Sequence, residues 1–402
     1  MNHQFRYRLR LILLSLLLFG VSRADELQET NGAHVRRDLG NDYVLLCLSA
    51  HPDDEDGATL AYYRMKFGVR TFSVFFTRGE GGQNEKGLEL YEELGAIRTE
   101  ETERAARILG SDISFLNFSD FGYSKTATET FRLWEGKGEV LRRLVYVIRK
   151  LKPDVIITNH NTIDGHGHHQ AVAIAAIEAF DAAADASFHS EQFTEGGVDP
   201  WQPNKLFFRV SKRDSIHANQ YDVANPVGEF SPLLRESYLQ LALRALREHE
   251  TQGMDKLAET MSPEGSTFCR LVRTSSRFEA DTLDLFHGID LLRSVSTDVH
   301  RLRTEVSQLS SMNLRSVNFI QLERAISTAS ALVEGGNLSP IERRVVSSWR
   351  SELNELARHS AGVRWRADIS DWLVVRGQKV QLDLTVQARK NIAIDSLRFT
   401  LI

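Results

Sequence analysis

Residues 43–55 read YVLLCLSAHPDDE, an apolar run that ends in one imidazole and three carboxylates. An apolar run of this length that stops at a turn signal predicts a buried strand, and Pro52 prevents the strand from continuing. Charged groups are costly to gather at the mouth of a sheet unless a counter-charge compensates them, and a divalent metal is the usual compensator. The stretch therefore predicts a strand that delivers metal ligands at its carboxyl end.

A second cluster, GHGHH at residues 165–169, follows another apolar run, DVIIT at residues 154–158. Taken alone, the first cluster could be a helix cap and the second an exposed His-rich loop. Because both follow predicted strands, we expect them to meet at one edge of a sheet and to form a single metal site from two loops.

The cysteines exclude a thiolate site, because Cys47 and Cys269 form no CxxC pattern. His and carboxylate ligands favour Zn²⁺, with Fe²⁺ or Mn²⁺ as alternatives. Catalytic zinc usually takes three protein ligands and leaves one position for water. We expect His51, Asp54 and His169 to be those ligands.

Asp53 and His166 then remain beside the metal without binding it. A carboxylate next to an activated water suits a general base, and a nearby imidazole suits an oxyanion stabiliser or a proton donor. We therefore predict that Asp53 and His166 are catalytic.

These residues resemble the LmbE/PIG-L family of metal-dependent N-deacetylases, which act on N-acetylglucosamine-containing compounds. The family signature matches LSAHPDDE at residues 48–55, and its later H-x-x-H motif matches His166 and His169. The resemblance covers about residues 42–210 and implies the same three metal ligands, with Asp53 as the base. It also implies a Rossmann-like parallel-sheet domain.

The resemblance extends through FTRGEGG at residues 76–82 and IRTEE at residues 97–101. Four polar side chains are predicted as substrate contacts, with a structural salt bridge or cap as the alternative for each: Arg78, Glu80, Arg98 and Asn161. One position departs from the family, since His168 stands where many relatives carry Asp. A carboxylate there would hold a proton on His166, and a second His is not expected to do so.

Residues 1–24 combine arginines at 6, 8 and 10 before the apolar run LILLSLLLF at residues 11–19, and small residues at 22 and 24 after it. This pattern predicts a cleaved signal peptide and export to the periplasm or the exterior, with an uncleaved anchor as the alternative. Cleavage removes four arginines and no acidic residue, so the formal net charge falls from −5 to −9. Such an acidic chain disfavours nucleic-acid or anionic-membrane partners. No membrane span is expected after cleavage.

The remaining chain is predicted to contain a linker (25–41), an α/β catalytic domain (42–230), a mostly helical region (231–360) and a β segment (361–402). In the catalytic domain, strands are predicted at 43–49, 70–76, 113–118, 154–159 and 204–210. Helices at 91–109 and 139–151 alternate with them, which indicates a parallel sheet with ligands beyond the strand carboxyl ends. No GxGxxG motif follows the first strand, so dinucleotide binding is not supported.

The helical region contains amphipathic runs at 233–250, 284–310 and 340–357, and the β segment resembles an incomplete Ig-like domain. His249, Gln252 and Met254 are further possibilities for lining the substrate cleft.

The sequence thus predicts an exported zinc-dependent hydrolase that removes the N-acetyl group from an N-acetylglucosamine-type amino sugar or glycoconjugate. The alternatives are an amidase on another N-acyl substrate and an inactive metal-containing glycan-binding protein. The sequence does not decide which amino sugar is used, or the oligomeric state.

Overall fold

The computed structural model describes residues 35–210, 220–275, 283–312, 316–369, 378–379 and 381–387. These residues belong to two compact units, one spanning Asn41–Ser294 and the other formed by the remaining terminal segments. The predicted signal peptide at 1–24 lies outside the described residues. Within the described ranges, no helix has both the length and the apolarity required to cross a bilayer.

The first unit is built on a seven-stranded sheet with the order β3-β2-β1-β4-β5-β9-β6. The first five strands in this order run parallel, whereas β9 is antiparallel to both β5 and β6. The strands are β1 Val44–Ser49, β2 Arg70–Phe75, β3 Asp112–Phe115, β4 Val155–Thr158, β5 Lys205–Val210, β6 Val223–Asn225 and β9 Thr267–Thr274, with a small hairpin of β7 Phe230–Ser231 and β8 Glu236–Ser237.

Strand β1 lies in the interior of the sheet, and all six of its residues are buried. It pairs with β2 on one side and with β4 on the other. From β1 the chain continues through β2 to β3 on one side, and it then returns to β4 and β5 on the other side of β1. The order of connections therefore reverses between β1 and β4, where a parallel sheet opens a crevice for ligands.

Helices cover this sheet as the sequence predicts. They are α1 Gly57–Tyr62, α2 Glu92–Leu109, α3 Ala127–Leu133, α4 Lys137–Leu151, α5 Gly167–Ala182, α6 Glu191–Thr194, α7 Tyr238–Leu246 and α8 Met254–Thr260. Helix α4 buries one stripe, Val140, Leu144, Val145 and Ile148, against the sheet. Helix α2 ends where Gly110 adopts a left-handed conformation with φ of 66°. The five predicted strands and two predicted helices of the α/β region are confirmed to within a few residues.

The compact unit continues beyond residue 230, where the sequence analysis placed a boundary. Helices α7 and α8 and strand β9 all belong to it. The sequence analysis missed β9, which lies inside the region described as mostly helical. Its side chains alternate only partly between buried and intermediate exposure, so the period-two signal is weak.

In the second unit, three helices pack pairwise: α9 Thr297–Ser311, α10 Phe319–Glu334 and α11 Pro340–Ala361. A capping box of Ser339 and Glu342 begins α11, in agreement with the helix predicted from residue 340. Strands β10 Arg364–Ile369 and β11 Leu382–Gln387 form an antiparallel pair. Of the predicted β segment at 361–402, residues 370–377, 380 and 388–402 lie outside the described residues.

Candidate active site

The loops that follow β1 and β4 meet at the switch point of the sheet. His51 lies two residues after the end of β1, and a backbone hydrogen bond from Asp54 N to His51 O, 3.3 Å long, closes a tight turn. Asp53 lies inside this turn with a φ of 84°, a left-handed conformation that Asp tolerates better than most residues. The turn therefore points the neighbouring carboxylates of Asp53 and Asp54 in different directions.

Three side chains from the two loops converge on one point. The Oδ2 atom of Asp54 lies 2.9 Å from His51 Nδ1 and 3.5 Å from His169 Nε2. One ligand atom from each of the three residues lies within 4.8 Å of the other two. Ligands bound tetrahedrally at about 2.0–2.1 Å from an ion lie roughly 3.3 Å from one another. The spacing and the donor set of two imidazoles and one carboxylate therefore fit a divalent metal ion.

The protonation states of these groups also suit a cation. Burial by itself would raise the pKa of Asp54, but the charges and hydrogen bonds of the surrounding histidines hold that pKa well below its usual range. Asp54 is therefore an anion at neutral pH, as a metal ligand must be.

His51 uses its second ring nitrogen on a different partner. Its Nε2 lies 2.9 Å from Nδ1 of His168, a side chain that is fully buried between Trp134 and Phe121. Burial and the neighbouring histidines lower the pKa of His168 to about 2, so its ring is neutral and can accept a hydrogen bond. A ligating histidine commonly donates its free N–H to such an acceptor, which orients the ring.

His51, His166 and His168 form a second group with metal-ligand spacing. The two groups use different ring nitrogens of His51, since Nδ1 faces Asp54 and Nε2 faces His168. The group with Asp54 includes an anionic ligand, and the contact to His168 then acts as the supporting hydrogen bond. The group of His51, Asp54 and His169 is therefore the better candidate metal site.

His160 packs against the candidate site, although the sequence analysis did not identify it. Its Nε2 accepts a hydrogen bond of 3.0 Å from Ala50 N, and its ring stacks on that of His169 with centroids 4.2 Å apart. Burial lowers the pKa of His160 to about 3, so the ring stays neutral. It holds His169 in place without competing for a proton.

A cavity of about 330 Å³ opens beside the three ligands. It is lined by His51, Asp53, Gly81, Gly82, Gln83, Arg98, Asp120, Gly122, Tyr123, His166, Gln252 and Met254. Asp53 and His166, the two residues predicted to be catalytic, thus face the same space. Burial, with the charges of Asp54 and Glu55, raises the pKa of Asp53 well above its usual range. A raised pKa favours a carboxylate that takes up and releases a proton.

His166 begins helix α5 as its N-cap. Its Nδ1 accepts a hydrogen bond of 3.4 Å from His168 N, which assigns the proton of a neutral ring to Nε2. Burial and the charges of His169 and His51 lower the pKa of His166 to about 4. The ring is therefore a neutral N–H donor at neutral pH.

Of the four predicted substrate contacts, only Arg98 lies among the residues described as lining the cavity. Arg78 donates to Thr99 and Asn117, and Glu80 accepts from the backbone of Arg78 and Asp120. Asn161 accepts the backbone N–H groups of residues 163 and 164 in its own turn. The polar atoms of Arg78, Glu80 and Asn161 therefore hold loops together, which is the structural role that the sequence analysis gave as the alternative for each.

Arg98 is itself held firmly. It donates to the carbonyl oxygens of Gly79 and Gln83, and its Nε donates to Thr251 Oγ1 over 3.3 Å. Thr251 in turn donates twice to Glu101, through N at 2.8 Å and Oγ1 at 2.7 Å. This network joins helix α2 to the segment before α8.

The segment before α8 supplies part of the cavity wall. Gln252 donates to the carbonyl of Pro52 over 2.6 Å, and Gln252 and Met254 both line the cavity. These residues were raised as possibilities from the sequence, whereas Asp120 was missed because no motif marks it. Asp120 lies 3.9 Å from both His51 Nε2 and His168 Nδ1 and is 7% exposed.

Comparison with known proteins matches residues 46–180 to a family described as "PIG-L: GlcNAc-PI de-N-acetylase". A 1D-myo-inositol 2-acetamido-2-deoxy-alpha-D-glucopyranoside deacetylase of Geodermatophilus obscurus is 30% identical over 206 residues, which are 47% of this chain and 68% of that protein. The protein of the same name from Thermobifida fusca is 32% identical over 215 residues, 48% of this chain and 70% of its own.

Among solved structures, N,N'-diacetylchitobiose deacetylase from Pyrococcus horikoshii is similar with 22% identity and a TM-score of 0.42. The match covers 57% of this chain and 83% of that one.

Proposed function

Because this chain belongs to the PIG-L family and is a metal-dependent N-deacetylase, we propose that it uses Zn²⁺ to remove the N-acetyl group from an N-acetylglucosamine-type amino sugar or glycoconjugate. Relatives named for GlcNAc-inositol and diacetylchitobiose deacetylation support an amino-sugar substrate. The proposal includes export, which is supported by the basic and apolar pattern of residues 1–24.

One observation carries the proposal. His51, Asp54 and His169 converge with metal-ligand spacing, while the adjacent Asp53 faces the cavity instead of the ion. A metal site that only stabilises structure is closed by its ligands and has no need of an unliganded carboxylate beside it. The arrangement therefore supports catalysis over a purely glycan-binding role.

A divalent ion at this site supplies Lewis acidity, which acidifies water and polarises a carbonyl group. The mixed imidazole and carboxylate donors favour Zn²⁺, and Fe²⁺ or Mn²⁺ are the alternatives that the same donors accept. The chain's own residues supply the remaining chemistry.

Asp53 takes a proton from the attacking water as the oxygen of that water bonds to the acetyl carbon. The same carboxyl group then gives the proton to the nitrogen as the C–N bond breaks, so acetate and a free amine are released. The raised pKa of Asp53 suits both halves of this cycle.

His166 donates its Nε2–H to the carbonyl oxygen as negative charge develops there. A neutral imidazole can do this without first gaining a proton, and a donor in this position contributes about 3–4 kcal/mol to transition-state stability. Arg98 and Asp120 also line the cavity and offer a cation and an anion that can bind sugar hydroxyl groups.

The proposal is tested by acetate release from the purified mature protein. Metal is removed with a chelator, and activity is then measured with no metal, with Zn²⁺, and with Fe²⁺ under anaerobic conditions. The substrates are GlcNAc, N,N'-diacetylchitobiose and an N-acetylated amino acid, the last of which tests the amidase alternative.

We expect acetate from the amino sugars, loss of activity on chelation and recovery with Zn²⁺. Release from the amino acid alone would favour the amidase, and sugar binding without any acetate release would favour an inactive binding protein. Recovery with Fe²⁺ but not Zn²⁺ would overturn the choice of metal.

A further inference from the structure

Tyr123 lies at the mouth of the cavity and is 77% exposed, although it lines the same space as Asp53 and His166. Its ring centroid is 5.8 Å from that of His166, with an angle of 37° between the planes. An aromatic ring left this open beside a site is apolar surface that a ligand can cover.

The backbone on the N-terminal side of Tyr123 is fixed. Gly122 N donates to Asp120 Oδ1 over 2.8 Å, and Asp120 N donates to Glu80 Oε1 over 3.0 Å. Gly81 packs so closely that a Cβ atom there would lie 2.7 Å from Gly122 N. The turn before Tyr123 is therefore tied down by two hydrogen bonds and packs directly against Gly81.

The C-terminal side is fixed as well. The carbonyl oxygen of Ser124 accepts a hydrogen bond of 2.8 Å from Gly167 N, and Ser124 Oγ pairs with Thr130 Oγ1 at 2.8 Å. Gly167 is the first residue of the helix that carries His169. Tyr123 is thus held between the loop that contains Asp120 and the start of the helix that carries His169, so its exposed ring projects from an anchored backbone.

The size of the cavity limits what it encloses. At about 330 Å³ it is near the lower end of the range for ligand sites, and its walls carry charged and amide groups. A second sugar ring would extend to the mouth, where Tyr123 is located. The C–H bonds on a sugar face carry partial positive charge, and an aromatic face carries partial negative charge, so the two stack favourably.

We propose that Tyr123 is a stacking platform for the second ring of a two-ring N-acetylated substrate, and that this residue sets the preference for two rings over one. This inference rests on the proposed deacetylase function and adds to it a residue that selects between substrates. Tyr221 is a matched control, since it is 50% exposed and stacks on Phe268 away from the residues that line the cavity.

The test compares kcat/KM for GlcNAc and for N,N'-diacetylchitobiose in the parent chain and in Tyr123→Phe, Tyr123→Ala, Tyr123→Ser and Tyr221→Ala. We expect the parent to prefer the two-ring substrate, and Tyr123→Ala and Tyr123→Ser to lower that preference by about 3- to 10-fold. Tyr123→Phe keeps the ring and should keep the preference, as should Tyr221→Ala. Thermal unfolding checks that each variant is folded.

Three results would overturn the inference. They are a parent that does not prefer two rings, a preference that survives in both Tyr123→Ala and Tyr123→Ser, and a loss in Tyr123→Phe as large as in Tyr123→Ala. The last would assign the effect to the phenol hydroxyl group.

Calorimetric binding of chitobiose, the deacetylated two-ring product, tests the platform without turnover. We expect Tyr123→Ala to weaken this binding by the same 3- to 10-fold, and absence of binding to the parent would overturn the inference. Binding that depends on Tyr123 without acetate release would overturn the proposed function alone. Acetate release without a two-ring preference would overturn the inference alone.

Discussion

Replacing Asp53 with Asn tests the general-base role of this residue separately from metal binding. Asp53 has a φ of 84°, which Asn tolerates, whereas Ala would add backbone strain of roughly 1–2 kcal/mol and confuse the result. Asn has the same shape but cannot take a proton from water. Because Asp53 faces the cavity and Asp54 contacts the other ligands, Asp53→Asn should leave the metal bound.

The expected loss of turnover is about 10²–10⁴-fold, the usual contribution of a general base, or roughly 3–5 kcal/mol of activation free energy. The assay is acetate release by the metal-loaded variant, together with metal content from elemental analysis. The ratio of metal to protein should match that of the parent chain.

The matched variant is Asp54→Ala. Asp54 Oδ2 is the atom shared by His51 Nδ1 at 2.9 Å and His169 Nε2 at 3.5 Å, so its removal should release the ion and abolish activity together. Equal metal loss in the two variants would refute the assignment of the adjacent carboxylates. So would full turnover in Asp53→Asn.

Three further substitutions test the framework around the site. Thr251→Val removes the hydroxyl that donates to buried Glu101, and we expect a loss of about 2–3 kcal/mol in urea unfolding, with Thr251→Ser losing much less. Gly167→Ala would place a Cβ atom against the loop oxygens of residues 124 and 126, so we expect lower stability and weaker metal binding. Gly138→Ala, where a Cβ meets nothing within 4 Å, should instead be neutral or stabilising in the same measurements. Glu342 accepts backbone hydrogen bonds that lower its pKa from 4.5 to about 2. The contribution of Glu342 to the free energy of unfolding is therefore complete above about pH 4.5 and disappears as the pH falls toward 2. Glu342→Gln should cost up to about 3 kcal/mol in urea unfolding at pH 7 and almost nothing near pH 2.

The candidate metal site could be predicted from the sequence because its three side chains lie in two short segments that follow strand ends. The turn after β1 supplies His51 and Asp54, and the loop after β4 supplies His169. These strands are neighbours in a parallel sheet, so their carboxyl ends must meet. Two short motifs and one topological rule were therefore sufficient to expect the convergence.

The cavity wall could not be predicted in the same way. Gln252 reaches Asp53 because Thr251 bonds to Glu101, a contact across 150 positions of the chain. No periodicity or spacing encodes such a pairing. The same applies to Asp120, whose loop has neither a motif nor a regular element of its own.

Residue type alone also does not indicate which arginine lines the cavity. Arg78 stands over the ring of Phe115 at 4.3 Å and donates to Thr99 and Asn117, so its guanidinium group holds strand β3 and helix α2 together. Arg98 is the same residue type, but it is buried and lines the cavity. The two arginines differ only in which neighbours the fold brings to them.

His168 shows how the structure changes the meaning of a motif position. The sequence suggested that a histidine there would alter the proton on His166, because a carboxylate often occupies that place in relatives. In the structure, Nδ1 of His168 lies 2.9 Å from Nε2 of His51, whereas the hydrogen bond to His166 comes from the backbone N–H of His168 and the two rings meet edge to face with centroids 5.0 Å apart. A carboxylate on a ligating histidine would make that ligand more basic, and a neutral imidazole does so less. The departure at this position therefore acts first on His51, the proposed metal ligand, and a change in metal affinity should accompany any change in the pH dependence of turnover when His168 is replaced.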